Sequence, residues 1–194
     1  AGAAIARRLT QYELDVVLLE KESDVSYGTS KANSGIIHGA FHHSQKYLKA
    51  RLEREGLDLY PKLHRELGFP YKQCGLVVAA FTPEDMATVG HLHRQGVENG
   101  SPGIELCGAE RMHELEPKLH KDVIGGLYAP AGGIIEPYRF VFSLVENAID
   151  NGLTVLHNFE VIKAEVSSTA SDSQHSRARF AIHSADGRRV NARY

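Results

Sequence analysis

Leu14-Asp15-Val16-Val17-Leu18-Leu19-Glu20 is a short apolar run with adjacent β-branched residues that closes on an acid. A run that stays apolar instead of alternating reads as a strand buried on both faces, as in parallel sheets. Before it, residues 1 to about 11 read as a helix whose Ala3, Ala4, Ile5, Ala6 and Leu9 form a small apolar face able to lie close to a sheet. Gly2 stands in the first turn of that helix, and Glu20 follows it at roughly the ~20-residue interval of a dinucleotide-binding βαβ unit. In such a unit the helix N-terminus faces a pyrophosphate, a contact worth about 0.3–1 kcal/mol when exposed, and the acid accepts hydrogen bonds from ribose hydroxyls. An ordinary helix–strand pair carries the same local pattern, so the neighbouring segments decide between the two.

The next segment, Gly28-Thr-Ser-Lys-Ala-Asn-Ser-Gly-Ile-Ile-His38-Gly39, is polar and small where a globular chain normally builds core. Gly28, Gly35 and Gly39 permit close backbone approach, and Thr29, Ser30, Asn33 and Ser34 supply short hydrogen-bonding groups. Such a loop suits a ligand rich in oxygens, although a long surface turn uses the same residues. It turns apolar at Ile36-Ile37 and then presents His38.

The composition narrows the classes. With 194 residues, 42% of them hydrophobic, the chain can build one or two compact units with a real core. The 22 basic and 24 acidic residues nearly balance and are scattered, which gives no electrostatic case for nucleic acid or an anionic membrane. No apolar run approaches a membrane span, and the opening residues lack the layout of a signal peptide. Cys74 and Cys107 lie far apart outside any CxxC pattern, so a reducing compartment, cytoplasm or mitochondrial matrix, is expected. The chain opens without Met directly in helix-forming sequence, and Val190 to Tyr194 still reads as a strand, so a piece of a longer protein is expected.

Further along, Ser44 to about Gly68 reads as a long amphipathic helix that Pro61 is expected to break or kink. Residues 71–81 read as a strand with a bend at a glycine. Thr82-Pro83-Glu84-Asp85 is a helix start, with Thr as N-cap and Pro in the first turn, for a helix reaching about Asn99 and closed by Gly100. A strand over 103–107 and a helix over 108–116 follow, then glycine-punctuated strands in 124–130 and 132–137, a sheet near a ligand or simple inter-strand turns. Tyr138 to about Asn151 is an amphipathic helix, and strands start at Thr154 and Phe159. A Ser-rich loop over 167–177 and a hairpin turn at Ala185-Asp186-Gly187 complete the chain. The fold class expected is α/β, with α+β character in the second part.

Taken in order, Gly2 with its Ala-Ile-Ala helix, Glu20, the 28–38 loop, Tyr71-Lys-Gln-Cys-Gly75, Glu98-Asn-Gly-Ser-Pro-Gly103, Glu116-Pro117 and Ala129-Pro-Ala-Gly-Gly-Ile-Ile-Glu-Pro137 resemble the FAD-dependent oxidoreductases of the D-amino-acid-oxidase (DAO) type. The likeness is strongest to the glycerol-3-phosphate dehydrogenase-like branch, with L-2-hydroxyglutarate dehydrogenase a close relative. The resemblance implies a partial Rossmann-like FAD-binding domain, residues 1–70 and 137–194 with its first strand lying before Ala1, and part of a mixed or antiparallel-sheet substrate domain, residues 71–136. It implies Gly2 as the last fingerprint glycine and Glu20, with Lys21, at the adenosine ribose. It also implies Thr29 and Ser30 at the pyrophosphate or ribityl chain, and Asn33, Ser34 and Gly35 further along the cofactor. Ile36 to His38 would approach the flavin ring, and the backbone of Val161 would pair with adenine. Family members often read His-Ala-Gly where this chain has His38-Gly39-Ala40.

The chemistry so implied is hydride removal from a C–H beside a hydroxyl, with glycerol 3-phosphate or a 2-hydroxy acid as small-molecule substrate and an unspecified electron acceptor. His38 is then the candidate base, or a hydrogen-bonding group to substrate oxygen, or a contact to the flavin ring; a structural histidine is the competing reading. His42-His43, His91 and His93 do not converge on metal-ligand spacing, and no metal is expected. An NAD-binding protein and a non-catalytic dinucleotide-binding remnant remain as other classes.

Overall fold

The computed structural model describes residues 1–167 and 179–194; the expected Ser-rich loop lies almost wholly outside these residues. In chain order the elements are α1 (Gly2–Leu9), β1 (Val17–Leu19), β2 (Ile36–Ile37), α2 (Leu48–Leu67), β3 (Tyr71–Lys72), β4 (Leu76–Ala80), α3 (Pro83–Glu98) and β5 (Glu105–Gly108). There follow α4 (Ala109–Leu115), β6 (Gly125–Ala129), β7 (Gly133–Ile135), α5 (Pro137–Asp150), β8 (Thr154–Leu156), β9 (Val161–Ser167), β10 (Arg179–Ser184) and β11 (Arg189–Ala192). The chain divides into two compact units, one of residues 1–33 with 141–194 and one of residues 34–140.

In the first unit β1 pairs with β8 in parallel, Val17 opposite Thr154 and Leu19 opposite Leu156. The strand expected over Leu14–Glu20 is the three-residue β1 and is parallel as read, but it is not buried on both faces: Val17 is exposed, and Leu18 and Leu19 are half-buried. Ala6 of α1, Val145 and Ala148 of α5, Val25 and Leu153 form its core, with Leu18 and Val155 packed against them. Arg7 Nε donates to Asn147 Oδ1 at 2.8 Å, tying α1 to α5. A separate antiparallel sheet orders β11-β10-β9, with Ile182 opposite Val190 on one side and Ala164 on the other. Arg188, beyond the hairpin turn, lies over the Phe159 ring at 5.0 Å and donates to the carbonyls of His157 and Asn158.

The second unit holds two three-stranded antiparallel sheets, ordered β2-β7-β3 and β4-β6-β5. The chain changes sheet twice, between β3 and β4 at Gly75 and between β6 and β7 at Gly132, and Gly75 N–H donates to Gly132 O at 2.9 Å across the change. Gly75 has φ +75, and a Cβ there would run into the Tyr128 ring at 2.5 Å, so the crossing needs a glycine. Residues 71–81, expected as one bent strand, are therefore two strands of different sheets. Phe41, Ala80, Val89, Leu127 and Ala129 form one core cluster; Ile37, Ala40 and Leu57 form another.

Two expectations are corrected. α2 begins at Leu48 rather than Ser44, and it runs through Pro61 unbroken. Proline removes one backbone donor and crowds the preceding turn, but Tyr60 beside it packs with Tyr71 and Phe140, and that packing keeps the helix whole. The compact units divide at 33/34, so residues 34–70, expected with the FAD-binding domain, group with the middle residues. Residues 34–70 join the middle unit because Ile36 and Ile37 pair with β7 and Leu57 packs on Ile37 and Ala40.

Candidate functional site

The nucleotide-type features sit in the first unit. Gly2 opens α1, where no side chain caps the helix and no acid stands in the first turn, so the N-terminal N–H groups and the helix dipole are left for an anion. A Cβ on Gly2 would contact Leu18 of β1 at 3.6 Å, which shows how closely the helix start lies against the strand. Glu20 follows β1, its N–H donating to Leu156 O at 3.0 Å and its carbonyl accepting from Phe159 N–H at 2.8 Å. Its Oε1 accepts the Glu22 N–H at 3.0 Å, and a carboxylate with about four lone-pair sites keeps room for hydroxyl donors. Phe159 leads into Val161, the exposed first residue of β9, so Glu20 and that segment are brought together. Lys21 is exposed and pairs with Glu22 at 3.6 Å.

The buried polar atoms of this unit without a hydrogen-bond partner include Ser184 Oγ at the end of β10, Ser26 Oγ after β1 and His157 Nδ1 after β8. The last two follow the carboxyl ends of the parallel strands, the edge at which open α/β sheets bind ligands. An uncapped helix start, a strand-end carboxylate and orphaned buried polar atoms at that edge fit a dinucleotide.

The 28–39 loop spans the division between the units. Thr29, Ser30 and Asn33 form a closed turn in the first, where Asn33 Nδ2 donates to Thr29 O at 3.0 Å and to Ser30 O at 3.1 Å. Ser34, Gly35 and Ile36 belong to the second; Ser34 and Ile36 are exposed, and Gly35 is buried with φ +68 against Ile135. His38 follows β2 as an exposed imidazole between buried Ile37 and buried Gly39.

His38 does not stand alone. Its ring meets His42 edge-on at 4.4 Å between centroids, and His42 stacks on the fully buried Phe41 at 4.0 Å. Desolvation on that ring, and then the charges of His38, His43 and Lys49, lower the His42 pKa to about 4. His42 is therefore a neutral imidazole through the physiological range. Sequence reasoning took His42 only as a rejected metal ligand, and it missed Gln95, Asn99 and Ser101. These donate to the backbone after His38; the Glu98–Gly103 stretch signalled Asn99 and Ser101, and nothing signalled Gln95. Among the described residues no group of three or more His, Cys, Asp or Glu side chains could hold a metal ion.

A parallel strand end marked by an acid, an uncapped helix start beside it and a separate unit of antiparallel sheets presenting an imidazole define a nucleotide-binding α/β protein. The chain belongs to the DAO family of FAD dependent oxidoreductases, whose family model matches residues 1–191. It is 41% identical over 164 residues to a glycerol 3-phosphate dehydrogenase of Caloramator mitchellensis, 84% of this chain and 34% of that protein. To the mitochondrial L-2-hydroxyglutarate dehydrogenase of Homo sapiens it is 33% identical over 165 residues, 82% of this chain and 35% of that protein. An L-alpha-glycerophosphate oxidase of Mycoplasma pneumoniae, solved with FAD bound, superposes with a TM-score of 0.83 at 25% identity, over 95% of this chain and 47% of that one. The glycine oxidase of Geobacillus kaustophilus shares the fold, with a TM-score of 0.81 at 22% identity. The chain spans about a third of the length of the curated relatives it matches.

Proposed function

We propose that the protein oxidises a secondary alcohol bearing an anionic group, glycerol 3-phosphate before all, with FAD as its cofactor and His38 as the group that takes the hydroxyl proton. The observation that carries the reading is the placement of His38, an exposed imidazole held between buried backbone neighbours at the end of β2. The 41% identity to a glycerol 3-phosphate dehydrogenase supports the substrate. The 33% identity to an L-2-hydroxyglutarate dehydrogenase supports a 2-hydroxy acid as second reading.

Gly2 and the N-terminal amides of α1 would hold the pyrophosphate, Glu20 the ribose hydroxyls, and the backbone at Val161 the adenine; Lys21, Thr29, Ser30, Asn33, Ser34, Gly35 and Ile36 would line the rest. Residues 1–33 and 141–194 would thus be the main cofactor-holding part. FAD, when bound, supplies the two-electron acceptor for the C–H bond. A neutral imidazole accepts one proton at a ring nitrogen, so His38 removes the hydroxyl proton as the carbon is oxidised to a ketone. General-base assistance of this kind contributes about 10²–10⁴-fold. The free Cys74 and Cys107 accord with a reducing compartment, and among the described residues no helix is long and apolar enough to cross a membrane.

The visible spectrum of the reconstituted protein tests the cofactor: absent flavin absorbance overturns the reading. Anaerobic bleaching by glycerol 3-phosphate or by L-2-hydroxyglutarate then decides the substrate. His38→Gln is expected to keep the flavin and slow bleaching by about 10²-fold or more; bleaching at the wild-type rate removes His38 from the chemistry.

A further inference from the structure

We propose that Asn99, assisted by Ser101 and Gln95, is a positioning residue for His38: side-chain donors at the C-terminal end of α3 hold the backbone that leaves His38 and so set where its imidazole is presented. This deepens the reading of His38 as the base and rests on it.

The ladder of β2 ends at Ile37, one residue before His38, so regular sheet pairing does not hold the following segment. Side chains hold it instead. Ser101 Oγ donates to Gly39 O, Asn99 Nδ2 donates to Ala40 O at 3.0 Å and to His43 O at 2.7 Å, and Gln95 Nε2 donates to Phe41 O at 2.7 Å. Carbonyls on both sides of His42, the ring against which His38 packs, are thereby pinned to one helix end. Ala40 is fully buried in the left-handed region at φ +60, a conformation that a non-glycine residue keeps only where its surroundings enforce it.

The anchoring end is itself rigid. Asn99 is the C-cap of α3, its N–H donating to Gln95 O at 2.9 Å, and Gly100 closes the helix at φ +70. At Gly96 a Cβ would overlap Ile104 and come within 2.9 Å of Phe41 Cβ, so helix and loop touch with no slack. Asn99 Oδ1 is buried without a partner, an unfavourable state for an amide oxygen. The amide keeps that cost while both Nδ2 bonds go to loop carbonyls. Asp at this position would lose the donors and set negative charge against those same oxygens.

The test uses the flavin-loaded protein and two readouts, the anaerobic bleaching rate and the His38 Cε1–H NMR resonance, assigned by its loss in His38→Gln. Asn99→Ala is expected to retain flavin absorbance, lower the rate at saturating substrate by about tenfold or more with KM little changed, and shift or split the His38 resonance, since small misplacements of a reacting group cost up to about 10²-fold. The His64 resonance, whose ring Nδ1 lies 2.7 Å from Phe69 O away from the clamp, is expected to stay put. Should Asn99→Ala fail to fold, Ser101→Ala decides: it is expected to move both readouts the same way, with Ser101→Thr restoring them. An unchanged His38 resonance together with an unchanged rate in a folded variant overturns the proposal. If His38→Gln bleaches at full rate, the reading of His38 as base fails instead, and the resonance alone judges whether Asn99 positions it.

Discussion

Ile135 N–H donates to Gly35 O at 2.9 Å, and the Ile135 carbonyl oxygen in turn occupies the space a Cβ on Gly35 would need. With φ +68 and Pro137 Cδ only 3.3 Å from that same Cβ position, Gly35 has no room for a side chain and no strain-free way to make it. Gly35→Ala is expected to destabilise by about 1–3 kcal/mol, read as a lower urea midpoint at unchanged m. Gly28, with open space around its Cβ position, is the control: Gly28→Ala should stay within about 0.5 kcal/mol of wild type. Equal effects at the two positions would show that the β2–β7 contact is not the cause.

His42 sets a pH dependence. Its pKa is lowered from the ordinary 6.5 to about 4, first by desolvation and then by His38, His43 and Lys49. The unfolded chain therefore takes up the proton before the folded one, and stability falls as pH drops from about 6.5 towards about 4. Because the side chain keeps solvent contact, screening holds the loss well below what the full shift implies. Urea midpoints between pH ~7 and ~5 should decline less in His42→Phe than in wild type. An NMR titration midpoint near 6.5 for His42 would contradict the stacked geometry.

The two thiols should separate cleanly. Cys74 is exposed, whereas Cys107 is buried, and burial, then the charge of Glu105 and a hydrogen bond with its side chain, push its thiol up to about 11. Thiolate, not thiol, is the reacting form. A disulfide reagent at mildly alkaline pH should modify one cysteine rapidly and the second only on denaturation; two fast cysteines, or a fast Cys107 in Cys74→Ser, would refute the assignment.

At the start of α3, Thr82 Oγ1 accepts the Asp85 N–H at 3.1 Å and Asp85 Oδ2 accepts the N–H groups of Phe81 and Thr82 at 3.0 and 2.9 Å. Thr82→Ala should cost about 1 kcal/mol. The Phe81 amide foremost, and then Thr82, hold the Asp85 carboxyl below its ordinary 3.8. Its contribution is present above that value and lost as pH falls through the lower folded pKa. The gap in urea midpoint between wild type and Asp85→Asn should close only in strong acid. Closure already near neutral pH would mean the carboxylate does not cap.

Local chemistry explains why α3 was legible before any coordinates: Thr82, Pro83 and Asp85 act within one turn, so their order states the helix start. The same holds for β1 within the apolar run Leu14–Glu20, for Gly100 as a helix stop and for the hairpin turn at residues 185–187. Pro61 misled because the proline penalty is local while Tyr60, packed with Tyr71 and Phe140, offsets it from distant positions. Residues 71–81 carried one continuous strand pattern, and the division of β3 and β4 between two sheets appears only when Gly75 meets Gly132 across the fold.

The site divides along the same line. Sequence by itself determined the family and the helix and strand that carry Gly2 and precede Glu20, and it singled out His38, because these depend on residue type and spacing along a short stretch. What holds His38 was decided by tertiary structure alone. Gln95, Asn99 and Ser101 reach the carbonyls of residues 39–43 from more than 50 positions along the chain, and the pKa of His42 is lowered by the packing that stacks it on buried Phe41. Backbone carbonyls look alike in every sequence, so which side chain satisfies them is known only when packing has placed the donor beside them.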